Sequence, residues 1–161
     1  INMIYEGTNT IQSLDLLGRK VLGNQGATLK KFGEQITALV MAEQGNEEMA
    51  EFIKPLMQLG QQMTQFTGEI GYKALQNADE VGAAAVDYLR VAGHLVLGYF
   101  WARMAQVALQ KIASGDRDPF YQAKVQTARF YFAKLFPETA SLMATARAGS
   151  AVLMETEAAL A

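Results

Sequence analysis

The sequence predicts an all-α fold, an up-and-down bundle of four to five helices preceded by a short leader helix. Three observations predict it. Strong helix formers (Ala, Leu, Gln, Met, Glu, Lys) dominate the 161 residues, and only three are proline. Apolar residues recur at spacings of three and four, and no run alternates apolar with polar for long enough to make a sheet. The breaks between these stretches are short, as antiparallel neighbouring helices require.

The leader helix is expected to begin near Thr8 to Thr10, where a hydroxyl can accept from the unpaired N–H groups of the first turn. Its stripe is Ile11, Leu14, Leu17, Val21 and Leu22, and Gly23-Asn24-Gln25-Gly26 ends it, with Gly or Asn available for the left-handed cap. A second helix spans about Ala27 to Ala42, with Leu29, Phe32, Ile36, Leu39 and Val40 on its apolar face. Gln44-Gly45-Asn46 breaks the chain, and Asn46 followed by Glu47 and Glu48 reads as a capped start with acids at the positive end of the helix dipole.

The third helix spans about Glu47 to Gln76, and Pro55 is expected to end or kink its first part. The fourth, about Asp79 to Ala113, is apolar around much of its circumference and is expected at the centre of the bundle. Asp118-Pro119 marks the start of a fifth helix running to about Leu135, since Asp caps and Pro suits the first helical position. Pro137-Glu138 starts a sixth that is expected to end near Leu153 or slightly later, with a tail from Glu155 to Ala161 that frays.

Composition narrows the function. Fourteen Lys and Arg against sixteen Asp and Glu give a net charge of -2, which argues against nucleic acid as a partner. There is no cysteine, so disulfides and thiolate metal sites are excluded, as fits a cytoplasmic protein. No membrane span is expected: the most apolar stretch, Val91 to Met104, is bounded or interrupted by Arg90, His94 and Arg103. The N-terminus lacks the basic and apolar regions of a secretion signal. Ile1 is not an initiator, so a segment upstream is expected.

The segment that carries chemistry is Tyr5-Glu6-Gly7-Thr8, just ahead of the leader helix. It combines one carboxylate, a glycine that lets a ligand approach the backbone, and hydroxyls at a helix start. Glu6 in a pocket away from water can serve as a general base; in water it is an ordinary loop carboxylate, and Thr8 an ordinary cap.

Ile4-Tyr5-Glu6-Gly7-Thr8-Asn9, followed by Ile11-Gln12, resembles the last active-site motif of the acyl-CoA dehydrogenases, and Leu14-Asp15-Leu16-Leu17-Gly18-Arg19-Lys20 resembles the helix that follows it in that family. The resemblance covers roughly residues 1–22. It implies that Glu6 is the catalytic base, which removes the pro-R α-proton of an acyl-CoA while the β-hydride passes to N5 of FAD, giving a trans-2-enoyl-CoA. It also implies that Gly7 and Tyr5 line the substrate site and that Thr8, Asn9 and Thr10 contact FAD. Many relatives carry Arg directly after the Ile-Gln pair, where this chain has Ser13. An ordinary member ends soon after this helix, whereas here residues 25–161 follow. In length, helical character and the Asp-Pro-Phe-Tyr stretch they resemble the extra C-terminal domain of a subgroup that includes 3-methylmercaptopropionyl-CoA dehydrogenases.

The implied organisation is residues 1–24 as the end of the flavin-domain bundle and residues 25–161 as the extension. The implied partners are acyl-CoA, an electron-transfer flavoprotein and further copies of the intact enzyme. The fragment alone is expected to hold no FAD and to be inactive. A different reading makes residues 25–161 a helical protein-interaction module, and a third makes them a cofactor-binding four-helix bundle.

Other candidates weigh less. His94, the sole histidine, is expected to be a satisfied side chain rather than a metal ligand. Glu47, Glu48 and Glu51 can share a helix face, but no Glu-x-x-His accompanies them, so no metal is expected. Met57, Met63, Phe66, Phe100, Trp101 and Met104 are expected in the core. Arg129, Lys134 and Arg147 are expected as solvated charges, and part of Phe130-Tyr131-Phe132 at a contact with a neighbour.

Overall fold

The computed structural model describes residues 8–160 and the side chains of residues 8–155. It is all-helical, with no strand among the described residues. A leader, α1 (Asn9–Leu14), continues as a π-helix over Asp15–Val21 and a 3-10 turn over Leu22–Asn24. Then come α2 (Ala27–Ala42), α3 (Glu47–Gln76), α4 (Asp79–Ala113), α5 (Pro119–Phe130, continued by a π-helix over Tyr131–Leu135), α6 (Glu138–Arg147) and α7 (Ala151–Leu160).

The stops follow backbone chemistry. Gln25 (φ 56°) and Gly26 (φ 76°) take the left-handed conformation after the leader, and the Gly26 N–H reaches back to the Val21 carbonyl at 2.8 Å. Gly45 does the same between α2 and α3 with φ 90°, and the Asn46 side chain then accepts from the Glu48 N–H at 3.1 Å. Asp118 caps α5 by accepting from the Phe120 N–H at 2.9 Å, with Pro119 behind it.

Three expectations about the helices need correction. Pro55 does not end its helix: α3 runs unbroken through it. The ring removes one ladder bond, but Met49, Phe52, Ile53, Leu56 and Leu59 are buried on either side and hold the segment by packing. The last helix is two helices. Gly149 turns left-handed (φ 81°), and Ser150 restarts the chain as α7, with its carbonyl accepting from Leu153 and Met154 N–H groups. The Thr8 hydroxyl makes no cap; the Thr8 carbonyl instead accepts from the Gln12 N–H at 2.7 Å.

Two compact units share the long helices. One gathers the described residues up to Lys31, Met63–Ala92, and those from Thr139 on. Its core is Leu17, Val21, Met63, Phe66, Ile70, Tyr88, Val91, Leu142 and Met143. Phe66 stacks on Tyr88 at 5.8 Å between centroids, and the buried hydroxyls of Thr67 and Tyr88 lie 2.8 Å apart. The leader belongs here: the position of a Gly18 side chain would meet Val81 at 3.6 Å, and that of Gly71 would meet Leu22 at 3.3 Å.

The other unit comprises Phe32–Gln62 and Gly93–Glu138. Its core contains Ile36, Leu39, Met49, Phe52, Leu56, Leu59, Leu95, Val125, Tyr131, Phe132 and Phe136. Phe52 meets Phe132 edge-on at 5.6 Å, and Phe32 meets Tyr99 at 5.4 Å. Gly98 lets the Phe136 ring lie where a Cβ would come within 2.6 Å of it.

Burial along the two long helices follows a three-four alternation: Met49, Phe52, Leu56, Leu59, Met63, Phe66 and Ile70 on α3, and Ala84, Tyr88, Val91, Leu95, Gly98, Ala102, Ala105 and Leu109 on α4. Small residues on α4 let neighbouring helices come close. The expectation of a wholly central α4 does not hold, because Val86, Val96, Leu97, Phe100, Met104 and Val107 remain exposed. Met57 is exposed as well, and Trp101 half-buried, so only Met63 and Phe66 of the expected core stripe are fully buried. By length and composition alone α4 is also apolar enough to cross a membrane, a property shared by core helices of water-soluble proteins. It carries Asp87, Arg90, His94 and Arg103 along its length.

Candidate functional site

Of the candidate site residues, Tyr5, Glu6 and Gly7 lie outside the described residues. Thr8, Asn9 and Thr10 form the entrance to α1, with Thr8 half-exposed and the other two exposed. The Thr8 hydroxyl accepts a long bond from the Gln12 side-chain amide, 3.4 Å, and the Thr10 carbonyl accepts from the Ser13 hydroxyl at 2.7 Å. The Asn9 side chain and the Thr10 hydroxyl make no hydrogen bond to another described residue. This first turn therefore presents an amide and two hydroxyls outward, the groups that suit a polar ligand at a helix N-terminus.

Ser13, the departure from the usual Arg, is fully buried. A guanidinium there would have to leave water, whereas a hydroxyl bonds to the backbone one turn back. Further along, Asp15 bridges Arg19, one turn on, and Lys20 at 3.1 Å. The bond from Arg19 and then that from Lys20 hold the Asp15 carboxyl below its ordinary value.

A polar cluster that sequence reasoning did not find lies in the second unit. His94 Nε2 is 2.9 Å from Glu138 Oε2, and Nδ1 is 3.0 Å from the Tyr131 hydroxyl. A carboxylate only accepts, so Nε2 carries the proton and, in the neutral ring, Nδ1 accepts from the tyrosine. The Tyr131 hydroxyl also lies 3.3 Å from the His94 carbonyl. Burial pushes the Tyr131 phenol up to about 12, so it stays a donor. His94 is thus a satisfied side chain, as its apolar helix suggested. Its partners stand 37 and 44 residues along the chain, beyond any local signal.

The expected solvated charges are partly engaged. Arg129 pairs with Glu51 at 2.8 Å and Arg147 with Glu69 at 2.7 Å. Arg147 also lies over the Phe66 ring at 5.2 Å. Tyr131 and Phe132 point into the core while Phe130 stays exposed. Among the described residues no group of three or more His, Asp and Glu side chains is placed to hold a metal ion.

Comparison with known proteins places this architecture. The family described as "Acetyl-CoA dehydrogenase C-terminal like" matches residues 27–157. The chain is 32% identical over 138 residues to the 3-methylmercaptopropionyl-CoA dehydrogenase of Ruegeria pomeroyi, covering 84% of this chain and 23% of that protein. It is 30% identical over 146 residues to a broad-specificity linear acyl-CoA dehydrogenase of Mycobacterium tuberculosis, covering 85% of this chain and 24% of the relative. A butyryl-CoA dehydrogenase of Syntrophomonas wolfei is 27% identical over 141 residues, with 85% and 23% covered. The chain spans about a quarter of the length of the curated relatives it matches. It belongs to the acetyl-CoA dehydrogenase C-terminal-like family, the C-terminal domain of acyl-CoA dehydrogenases.

Proposed function

We propose that this chain is the C-terminal part of an FAD-dependent acyl-CoA dehydrogenase that oxidises an acyl-CoA to a trans-2-enoyl-CoA. One conjunction carries the reading: the motif Ile4-Tyr5-Glu6-Gly7-Thr8-Asn9-Thr10-Ile11-Gln12 stands directly ahead of a domain of this family. Residues 1–24 then close the flavin-binding bundle and residues 25–161 form the extension.

Glu6 is the base in this reading. Its carboxylate takes the α-proton, the freed electron pair forms the Cα–Cβ double bond, and the β-hydride departs. The weak acidity of that proton demands a base removed from water and a polarised thioester oxygen. Gly7 gives the thioester room, and Tyr5 lines the same side. Bound FAD would supply the acceptor for the hydride and hand the electrons on to an electron-transfer flavoprotein. Thr8, Asn9 and Thr10 would hold it, and their outward, little-engaged side chains fit a polar cofactor edge.

Three residues at a helix start do not make a flavin site. The isolated chain is therefore expected to bind no FAD and to have no turnover. Its own role is structural, covering part of an intact, oligomeric cytoplasmic enzyme. The test is to express the parent polypeptide, measure its flavin content and assay acyl-CoA thioesters with an artificial electron acceptor. Flavin and thioester-dependent reduction are expected. A flavin-free parent, inert with every chain length, would overturn the assignment.

A further inference from the structure

The geometry points to the outward side of α4, with the start of α5, as the surface on which the flavin-binding portion of the parent dehydrogenase rests. This rests on the reading just given. Leu97, Phe100, Met104 and Val107 follow one another at spacings of three and four, so they form one helical stripe. The stripe lies two positions on from the buried row Leu95, Gly98, Ala102 and Ala105, about 200° around the helix. It therefore faces away from that row.

Phe120 and Tyr121 of α5 complete an open groove of about 300 Å³ with Phe100, Met104 and Val107. Phe100 and Phe120 are 54% and 55% exposed, which leaves two aromatic rings in water beside one another's groove. Aromatic, Met and Arg side chains gathered on one patch are the composition of an interface centre.

Charge states the partner's chemistry. Arg103 and Lys124 border the groove. Among the described residues the Arg103 guanidinium reaches the Tyr99 hydroxyl, at 3.5 Å, and the Lys124 ammonium lies over the Phe120 ring at 5.1 Å. Neither meets a carboxylate among the described residues. The complementary occupant is an apolar patch rimmed by Asp or Glu. A second copy presenting the same face would set Arg103 and Lys124 against themselves. Relatives about four times as long carry three quarters of their chain beyond the matched part, and that portion is the occupant.

The test uses the absence of cysteine from this chain. Leu97→Cys and Val107→Cys are placed separately in the parent polypeptide and in the 161-residue chain, and thiol labelling is followed by peptide mass spectrometry. Both sites are expected to label at least about tenfold more slowly in the parent, because labelling there needs an opening event. Leu75→Cys, 86% exposed and outside the groove, labels equally fast in both. In the parent, Arg103→Glu combined with Lys124→Glu restores fast labelling at Val107→Cys while flavin content stays unchanged. Equal rates in parent and chain overturn the proposal. So does protection already present in a 161-residue chain that elutes as a dimer, since a second copy then covers the groove. A protected but flavin-free parent removes this occupant, and its missing flavin absorbance separates that failure from an exposed groove in a flavoprotein.

Discussion

Glu80 accepts two hydrogen bonds from Ser150, one from its N–H at 3.0 Å and one from its hydroxyl at 2.7 Å. One carboxylate on the first turn of α4 thus fixes the point where α7 begins. Asn77 adds a bond to the same hydroxyl at 3.1 Å, and Lys73 donates to the Arg147 carbonyl at 3.0 Å. Groups on both sides of the turn between α3 and α4 therefore hold the end of α6 and the start of α7.

The Ser150 hydroxyl bond, followed by the backbone bond, keeps the Glu80 carboxyl below its ordinary value of 4.5. A lowered carboxyl contributes stability above the unfolded value, and that contribution is lost as pH falls through the folded value. Thermal melts of the native chain are expected to lose stability on acidification below about pH 4.5, with Glu80→Gln showing a shallower acid dependence. Part of the slope remains in that variant, because Arg147 lowers Glu69 in the same way. An unchanged acid slope would show that the Ser150 contact contributes nothing.

Ser150→Ala keeps the backbone bond and removes the hydroxyl. It is expected to cost about 1 kcal/mol by urea unfolding, the net worth of one such bond.

Gly93 and Gly98 stand on the same helix and predict opposite responses. A Cβ at Gly93 meets nothing within 4 Å, so Gly93→Ala is expected to stabilise by up to about 1 kcal/mol through helix propensity. A Cβ at Gly98 comes within 2.6 Å of the buried Phe136 ring. Gly98→Ala is expected to destabilise by roughly 1–3 kcal/mol despite the same propensity gain. Paired urea titrations check the difference in sign.

Tyr131 predicts an alkaline effect. A phenol raised to about 12 contributes stability that is present below its ordinary value of 10 and lost as pH rises through the folded value. Between those two values Tyr131→Phe is expected to be less alkali-sensitive than the native chain. Near neutrality the same variant leaves His94 Nδ1 without its phenol and is expected to cost about 1–2 kcal/mol.

Much of this fold could be read from residue order. The bounds of α2, α3 and α4 are those residue order indicates, with the Gly45-Asn46 break after α2 and acidic starts on α3 and α4, and Asp118-Pro119 opens α5 as its chemistry requires. The misreadings have tertiary causes. Pro55 reads as a stop or a kink because the local rule counts one lost bond; the helix does not stop there, since the flanking buried row outweighs that loss. The break at Gly149 went unread because Ser150, which restarts the chain, is held by Glu80, 70 residues away. The exposed side of α4 was invisible because apolar composition alone does not say which stripe is covered. Nothing in the residue order announces the two π-helices. The candidate catalytic segment was legible only as a motif, since Glu6 precedes the described residues and its pocket would be built by other parts of a longer chain.

In the proposed reaction Glu6 would remove the α-proton of the acyl-CoA. The direct measurement is rapid mixing of the flavin-loaded parent enzyme with a reducing acyl-CoA, native against Glu6→Gln, following loss of oxidised-flavin absorbance. Glu6→Gln is expected to retain its flavin and to show no acyl-CoA-dependent bleaching. Bleaching at the native rate in that variant would remove Glu6 from the proton transfer.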